Sequence, residues 1–197
     1  MDILVDYACA EIEIKKSRFL AEVFPVTTQQ NARILLKQQK EKYEDATHVV
    51  HAFAVGNNAE ILGMSDDGEP AGTAGRPVLD VLKGKNCTNI LLTVTRWFGG
   101  TLLGTGGLVK AYGDSAKAVL EVATFEPFIP KKEFHFSISY DVYDQIKRFL
   151  TTLKVFDIEE KFDTSIHIKG LISDTDVNIL LNSIKNITNG QTSVKIN

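Results

Sequence analysis

Residues 96–112 read Arg96-Trp97-Phe98-Gly99-Gly100-Thr101-Leu102-Leu103-Gly104-Thr105-Gly106-Gly107-Leu108-Val109-Lys110-Ala111-Tyr112. Just before this stretch, Ile90, Leu91, Leu92 and Val94 form an apolar run of strand length within Asn89–Thr95. From Leu108 on, Ala111, Tyr112, Ala116, Val119 and Leu120 recur at helical spacing to about Val122, with Lys110, Asp114, Lys117 and Glu121 on the opposite face. The segment therefore reads as a buried strand, a glycine-rich connection and an amphipathic helix. Five of the chain's 14 glycines fall between Gly99 and Gly107. Glycine is the residue most costly to order, so this concentration implies backbone conformations or close approaches that a side chain would forbid. Glycines that lead into a helix N-terminus can also aim backbone N–H groups at an anion, which the helix dipole favours.

Upstream, Tyr7–Val26 reads as two strands joined near Lys15-Lys16-Ser17, with Ile12 and Ile14 alternating against Glu11 and Glu13. Thr27-Thr28 offers a cap for a helix that runs to about Tyr43. His48–Val55 and Ile61–Ser65 form a hairpin around Gly56-Asn57-Asn58, and Pro77 suits the first position of a short helix through Leu82. Pro127 and Pro130 interrupt both kinds of periodicity, which places a domain boundary at Pro130 and gives domains 1–130 and 131–197. Beyond it, Phe134, Phe136, Ile138 and Tyr140 mark a strand, and Val142–Leu153 a helix behind Asp141 as a cap. Val155–Lys161 and Thr164–Ile172 read as strands, Ser173-x-x-Asp176 as a capping box before a helix, and Thr192–Ile196 as a last strand. Strand–helix–strand–strand–helix–strand is the ferredoxin-like βαββαβ order. The fold class is α+β.

The chain has 197 residues, 44% of them hydrophobic, and a net charge of −3. All of that charge lies before Pro130, and the rest is neutral, so neither part carries the broad positive field of non-specific nucleic-acid binders. Cys9 and Cys87 are too few and too far apart for a disulfide framework or a cysteine metal site. No membrane-length apolar run and no signal-like N-terminus are present, and a cytoplasmic protein is expected.

The glycine stretch matches no nucleotide motif. Gly99-x-x-x-x-Gly104 is followed by Thr105-Gly106, where a phosphate loop needs lysine, and Gly104-x-Gly106-x-x reaches Val109, where a dinucleotide fingerprint needs glycine or alanine. A second stretch, Ser65-Asp66-Asp67-Gly68-Glu69-Pro70-Ala71-Gly72-Thr73-Ala74-Gly75-Arg76-Pro77, repeats the logic of glycines ahead of a helix. Asp66, Asp67 and Glu69 could hold a hard cation through oxygen, although the calcium-loop spacing is absent. Asp67 and Glu69 could also act as an acid–base pair. Arg76, Arg96 and Lys110 could supply positive charge to a shared anion-binding surface, and Arg96 could equally make a structural cation–π contact beside Trp97-Phe98. His48 and His51, three apart on a strand, face opposite sides. Acyl transfer finds no support, because Gly63-Met64-Ser65-Asp66-Asp67 lacks the closing glycine of a nucleophile elbow. In the second domain, Lys132, His135, Lys161 and Lys169 lie on or beside strands whose outer face could meet solvent or RNA.

His48–Phe53, Asp66–Gly75 with Pro77, and Arg96–Tyr112 together resemble the signature of the YigZ/IMPACT family, over roughly residues 15–122. The remaining third resembles the small C-terminal domain of the bacterial members. The resemblance implies an N-terminal α+β domain like domain IV of elongation factor G and a C-terminal domain like that factor's last one. It implies a translation-linked role. Eukaryotic relatives regulate translation by competing for an activator of a stress kinase, using an extra N-terminal domain that this sequence lacks. It implies the motif loops as the site: His51, Asp66, Asp67, Glu69, Gly72, Thr73 and Gly75 in one, Gly99, Gly100, Gly104, Gly106 and Gly107 in the other.

Three readings follow. In the first, the chain is a non-enzymatic binder of RNA, the ribosome or a translation factor, with Arg76, Arg96 and Lys110 meeting phosphates, no cofactor and no DNA specificity. In the second, it is an enzyme on a phosphorylated small molecule, with Asp67 or Glu69 as base or metal ligand. In the third, both motifs are packing devices and a protein-interaction surface lies elsewhere. The first is the leading reading.

Overall fold

Eleven elements precede the proline-rich break. They are β1 (Asp2–Leu4), β2 (Ala8–Ile14), β3 (Ser17–Pro25), α1 (Gln29–Lys42), β4 (His48–Val55), β5 (Ile61–Ser65), α2 (Gly75–Gly84), β6 (Cys87–Thr88), β7 (Ile90–Trp97), α3 (Gly104–Val122) and β8 (Phe125–Pro127). The structure is a computed structural model that describes residues 1–197. It divides into two units, Met1–Phe128 and Ile129–Asn197. Five strands of the first unit form one sheet in the order β2-β3-β7-β4-β5, with every neighbouring pair antiparallel. β1 joins β6 and β8 in a small separate sheet that the sequence reading missed. Strands of two or three residues contain too few alternating positions to register as a pattern.

The two faces of the large sheet are built differently. On one, Phe19, Ala21 and Val23 of β3, Val50 and Ala52 of β4, and Leu92 and Val94 of β7 pack against Val78 and Leu82 of α2 and Leu108, Tyr112, Ala116 and Val119 of α3. This is the main core. On the other, α1 lies over a smaller cluster of Val26, Ala32, Phe53, Val55 and Leu91. Thr28 starts α1 as expected, its Oγ1 accepting the Asn31 N–H at 3.1 Å.

The glycine stretch after β7 is only partly a connection. α3 begins at Gly104, not Leu108, so Gly104, Gly106 and Gly107 form its first turn. Helical propensity disfavours three glycines inside a helix, and nothing lies within 4 Å of a methyl added at Gly104 or Gly106; Gly104 opens the helix at φ +74°, a conformation that glycine adopts freely. Gly99 has the strictest requirement, since a methyl there would lie 2.0 Å from the backbone carbonyl of Lys16 in the β2–β3 turn. α2 likewise begins at Gly75, two residues before Pro77.

The second unit holds β9 (Lys131–Ile138), α4 (Tyr143–Leu150), β10 (Val155–Phe162), β11 (Ile166–Ser173), α5 (Val177–Ile187) and β12 (Lys195–Ile196). Its sheet order is β10-β11-β9-β12, antiparallel throughout, which is the split βαβ plan. Phe134, Phe136, Ile138, Ile166, Ile168 and Ile172 meet Ile146 and Leu150 of α4 and Leu180 and Ile184 of α5. The expected helix caps are absent. Ser173 Oγ pairs with Thr175 Oγ1 at 2.9 Å, and Asp176 Oδ2 accepts the Lys154 N–H at 2.9 Å. Short 3₁₀ turns at Tyr140–Val142, which contains Asp141, and at Asp174–Asp176 lead into α4 and α5 without a side-chain cap.

Two glycine replacements should move stability in opposite directions. Gly113→Ala, mid-helix in α3 with nothing within 4 Å of the added methyl, should raise the unfolding free energy by about 0.5–1 kcal/mol. Gly99→Ala should lower it by about 1–3 kcal/mol through the clash at Lys16. Urea denaturation of both variants checks this; equal effects would mean that the 99–103 connection can give way.

Candidate functional site

The first motif loop folds around its own carboxylate. Asp66 Oδ2 accepts the Gly72 N–H at 2.9 Å, and Oδ1 accepts the N–H groups of Ala74 at 3.0 Å and Gly75 at 2.8 Å. Burial works to raise the Asp66 pKa, but these three backbone hydrogen bonds outweigh it and hold the carboxyl below its ordinary range. Gly72 adopts φ +77°, and a methyl at Gly75 would lie 2.7 Å from the backbone of Ser65. Thr73 is buried, its Oγ1 donating to the Pro70 carbonyl at 2.7 Å. The amides that the sequence reading offered to an external anion are thus already taken by Asp66.

Asp67 and Glu69 point elsewhere. Asp67 Oδ2 accepts the Val49 N–H at 2.7 Å, and Oδ1 accepts from Lys40 Nζ. Glu69 is buried, and its Oε1 accepts from the Arg96 guanidinium at 2.6 Å and from the Tyr112 hydroxyl at 2.7 Å. Burial, and then the Glu69 carboxylate, push the Tyr112 phenol far above its ordinary pKa. Glu69 therefore ties the first motif loop to β7 and to α3 at once, and the two motifs meet in the interior. His48 stands beside the node, its Nδ1 2.7 Å from the Asp67 carbonyl and its Nε2 3.9 Å from Glu69 Oε1.

This geometry changes the roles expected of several residues. Arg96 is only 5% exposed, its guanidinium 5.5 Å and 5.6 Å from the Phe19 and Phe98 rings, so the cation–π alternative describes it and a surface phosphate contact does not. Asp66, Asp67 and Glu69 serve three separate partner sets, not one cation, and no group of three or more His, Cys, Asp or Glu is arranged to hold a metal ion. Arg76 is exposed but pairs with Asp80 at 2.8 Å on the next turn of α2. Lys110 is exposed on α3 and makes no ion pair at the node.

The second motif is open where the first is closed. Thr101, Leu102, Gly104, Thr105 and Gly106 are all exposed, Leu102 by 83%. The α3 N-terminus has no side-chain cap and no acidic residue in its first turn. The Gly99 N–H donates to Ser17 Oγ at 3.2 Å, which seats the connection against the β2–β3 turn, where Lys15 and Lys16 adopt φ +48° and +67°. Arg18, one strand position on, lies 3.8 Å over the Trp97 ring. Lys15, Lys16 and Arg18 were not among the residues singled out from sequence. Only the β3–β7 register, which pairs Arg18 with Trp97, brings them to the glycine stretch.

Comparison with known proteins agrees with this motif architecture. The family model described as the Impact N-terminal domain matches residues 15–120. The chain belongs to the IMPACT family. It is 32% identical over 185 residues to the IMPACT family member YvyE of Bacillus subtilis (strain 168), which covers 94% of this chain and 85% of that protein. A crystal structure described as that of a hypothetical protein matches 98% of this chain and 95% of its own at 30% identity and TM-score 0.73. A structure of the two-domain translational regulator Yih1 matches 59% of this chain and 46% of its own at 25% identity and TM-score 0.40. No helix of this IMPACT protein is long and apolar enough to cross a membrane.

His51 belongs to a different layer from the node. On the α1 side of the sheet, pairing aligns Cys9, Glu22, Thr93, His51 and Ser65 in one row across five strands. Glu22 Oε2, Gln39 Oε1, His51 Nδ1, Thr93 Oγ1 and the next-row Thr95 Oγ1 are buried and make no hydrogen bond within the protein. Such atoms need water or another polar partner, so the last turn of α1 covers a polar layer and not a dry core. Tyr7 and Lys42 engage the other oxygen of Glu22, at 2.9 and 3.2 Å. In the second unit, the register puts His135 beside Lys169 and His167 beside Lys161 on the outer sheet face, with Glu159 2.9 Å from Lys169. Lys132 alternates to the other face and pairs with Asp174 at 2.8 Å.

His51 gives the family domain a pH signature. Burial first, then the nearby Lys40 charge, lower its pKa from 6.5 to about 4, against the opposing effect of Asp67. The unfolded chain binds the proton more readily, so the His51 contribution to stability should fall as pH drops from 6.5 towards 4 and level off below that. The shift corresponds to a loss on the order of 3 kcal/mol. Asp66, with its depressed pKa, keeps its contribution through this window and loses it only at lower pH. Urea midpoints between pH 6.5 and 4.5 should drop in the native chain and flatten in His51→Gln. An unchanged slope in the variant would assign the effect to other groups.

Proposed function

We propose that this protein is a translation-linked binding protein whose first unit meets RNA phosphates at the open end of α3. The family supports the translation link, through the roles that the resemblance implies for its eukaryotic relatives and through the likeness to elongation factor modules that the same resemblance implies. The chemistry of the site supports the phosphate contact. The observation that carries it is the contrast between the two motifs: one closes on its own Asp66, while the other leaves an uncapped, acid-free helix start in solvent. Peptide dipoles favour negative charge at such a helix end, and phosphate is its common occupant.

Positive charge and flat surface lie beside it. Lys15 and Lys16 project from a turn held against Gly99, and Arg18 stacks on Trp97. Phe98 is 45% exposed at the start of the same connection. Lys110 adds a free ammonium on the outer face of α3. A net charge of −3 keeps the contact local, so the partner is gripped at this patch and not drawn to the whole surface. Contacts of this kind fix position without reading base sequence. Asp66, Glu69 and Arg96 act in this reading as the frame that holds the patch in place.

The test is binding of a short structured RNA hairpin over a range of salt. Log affinity should fall linearly with log salt concentration. Lys15→Glu/Lys16→Glu should weaken binding and reduce the slope by about one per lysine removed, while Arg76→Ala should leave both unchanged. Salt-independent binding, or an affinity indifferent to the lysine pair, would contradict the proposal.

A further inference from the structure

Every sheet edge in this chain is guarded except one. Edge strands present unpaired N–H and C=O groups, and folded proteins blunt them with charge, proline, bulges or brevity. β2, one edge of the large sheet, carries Glu11 and Glu13 at exposed positions. β10, an edge of the second unit's sheet, has a bulge between Phe156 and Glu159 and the charges Asp157, Glu159, Glu160 and Lys161. β6 and β12 are two residues long, and β8 is three residues ending in Pro127. β5 is the exception. It reads Ile61-Leu62-Gly63-Met64-Ser65, with no charge, no proline and no bulge. Ile61 is 44% exposed, Leu62 38% and Met64 44%.

We propose that β5 is the dimerisation edge of this protein, pairing antiparallel with β5 of a second copy about a two-fold axis at Gly63. The occupant follows from the sequence of the strand itself. Antiparallel pairing centred on Gly63 sets Leu62 opposite Met64 of the second copy on one face and Ile61 opposite Ser65 on the other. Both faces are self-complementary, as a two-fold contact requires. Within residues 61–65 no charges meet, and just beyond them the same register sets Glu60 opposite Asp66 of the second copy. The acids that flank the strand are already held by their own turns, Glu60 on the Asn58 N–H at 2.8 Å and Asp66 on Gly72, Ala74 and Gly75. Position 63 is fixed as glycine within the chain itself, because the cross-strand Phe53 ring lies over it and a methyl would come within 2.3 Å. The result is a continuous ten-stranded sheet across two copies, counting the five strands of each. The contact is small and belongs to the weak, concentration-dependent class.

Sedimentation velocity from micromolar to submillimolar protein tests it. The native chain should shift towards dimer with concentration. Leu62→Glu and Met64→Lys, both at exposed positions, should each weaken self-association by about ten-fold or more, equivalent to about 1.4 kcal/mol. The pairing sets position 62 against position 64, so an equal mixture of the two variants should recover association that neither shows alone. Far-ultraviolet circular dichroism of each variant confirms that the fold is retained. A native chain that stays monomeric, single variants that dimerise normally, or a mixture that fails to associate would each overturn the proposal. RNA binding at the α3 end is expected to be unaffected by either variant, which separates this failure from failure of the phosphate-binding reading.

Discussion

A carboxylate and a guanidinium shut away from water hold the first unit's two motifs together. Glu69 reaches Arg96 at 2.6 Å and Tyr112 at 2.7 Å from the loop between β5 and α2. Two buried charges are tolerable only when each compensates the other, and the loss of one leaves its partner stranded in a poor dielectric. The loop, β7 and α3 are therefore constrained as one body. Such an ion pair adds less to net stability than its short distance suggests, because desolvation offsets much of the attraction. Its contribution is geometric: it fixes where α3 begins relative to the β2–β3 turn.

That constraint explains why two similar-looking glycine stretches behave differently. Gly72 and Gly75 let the chain wrap closely enough for Asp66 to accept three amides, so the first stretch is finished within itself. Gly99 lets β7 leave the sheet against Lys16, and Gly104 and Gly106 start a helix whose amides have no side chain to close them. One loop frames and the other presents. The polar layer beneath α1 is a second departure from a plain hydrophobic plan, since half of the helix covers Glu22, Thr93 and His51 in place of aliphatic residues. The Lys40–Asp67 and Lys42–Glu22 pairs link this end of the helix to the first motif loop and to β3, while Ala32 and Leu35 pack its other end on the apolar cluster.

Most strands and helices were legible because period-2 and period-3.6 patterns are local. Ile12 and Ile14 against Glu11 and Glu13, or Leu108 through Leu120, declare their type without reference to anything distant. Short β1, β6 and β8 carry no such period. The start of α3 lies four residues before the expected Leu108 because the exposed glycines of its first turn carry neither helical propensity nor an apolar period. The site was legible as a set of motifs but not as an arrangement. Nothing in the string shows that Glu69 is internal and that Lys15 and Lys16 are external, since each depends on pairings 27 and 82 positions apart in sequence. Arg96 illustrates the limit most plainly: arginine is ordinarily a surface cation, and only its register opposite Phe19 and His48 buries it.

Native-state hydrogen exchange in Glu69→Gln, which keeps the shape of the side chain and removes its charge, tests the coupling directly. The account predicts that the amides of Gly72, Ala74 and Gly75 and those of Leu108 to Tyr112 in α3 lose protection together, while the α1 side of the sheet keeps its own. Loss confined to the immediate neighbours of position 69, with that stretch of α3 unchanged, would contradict it.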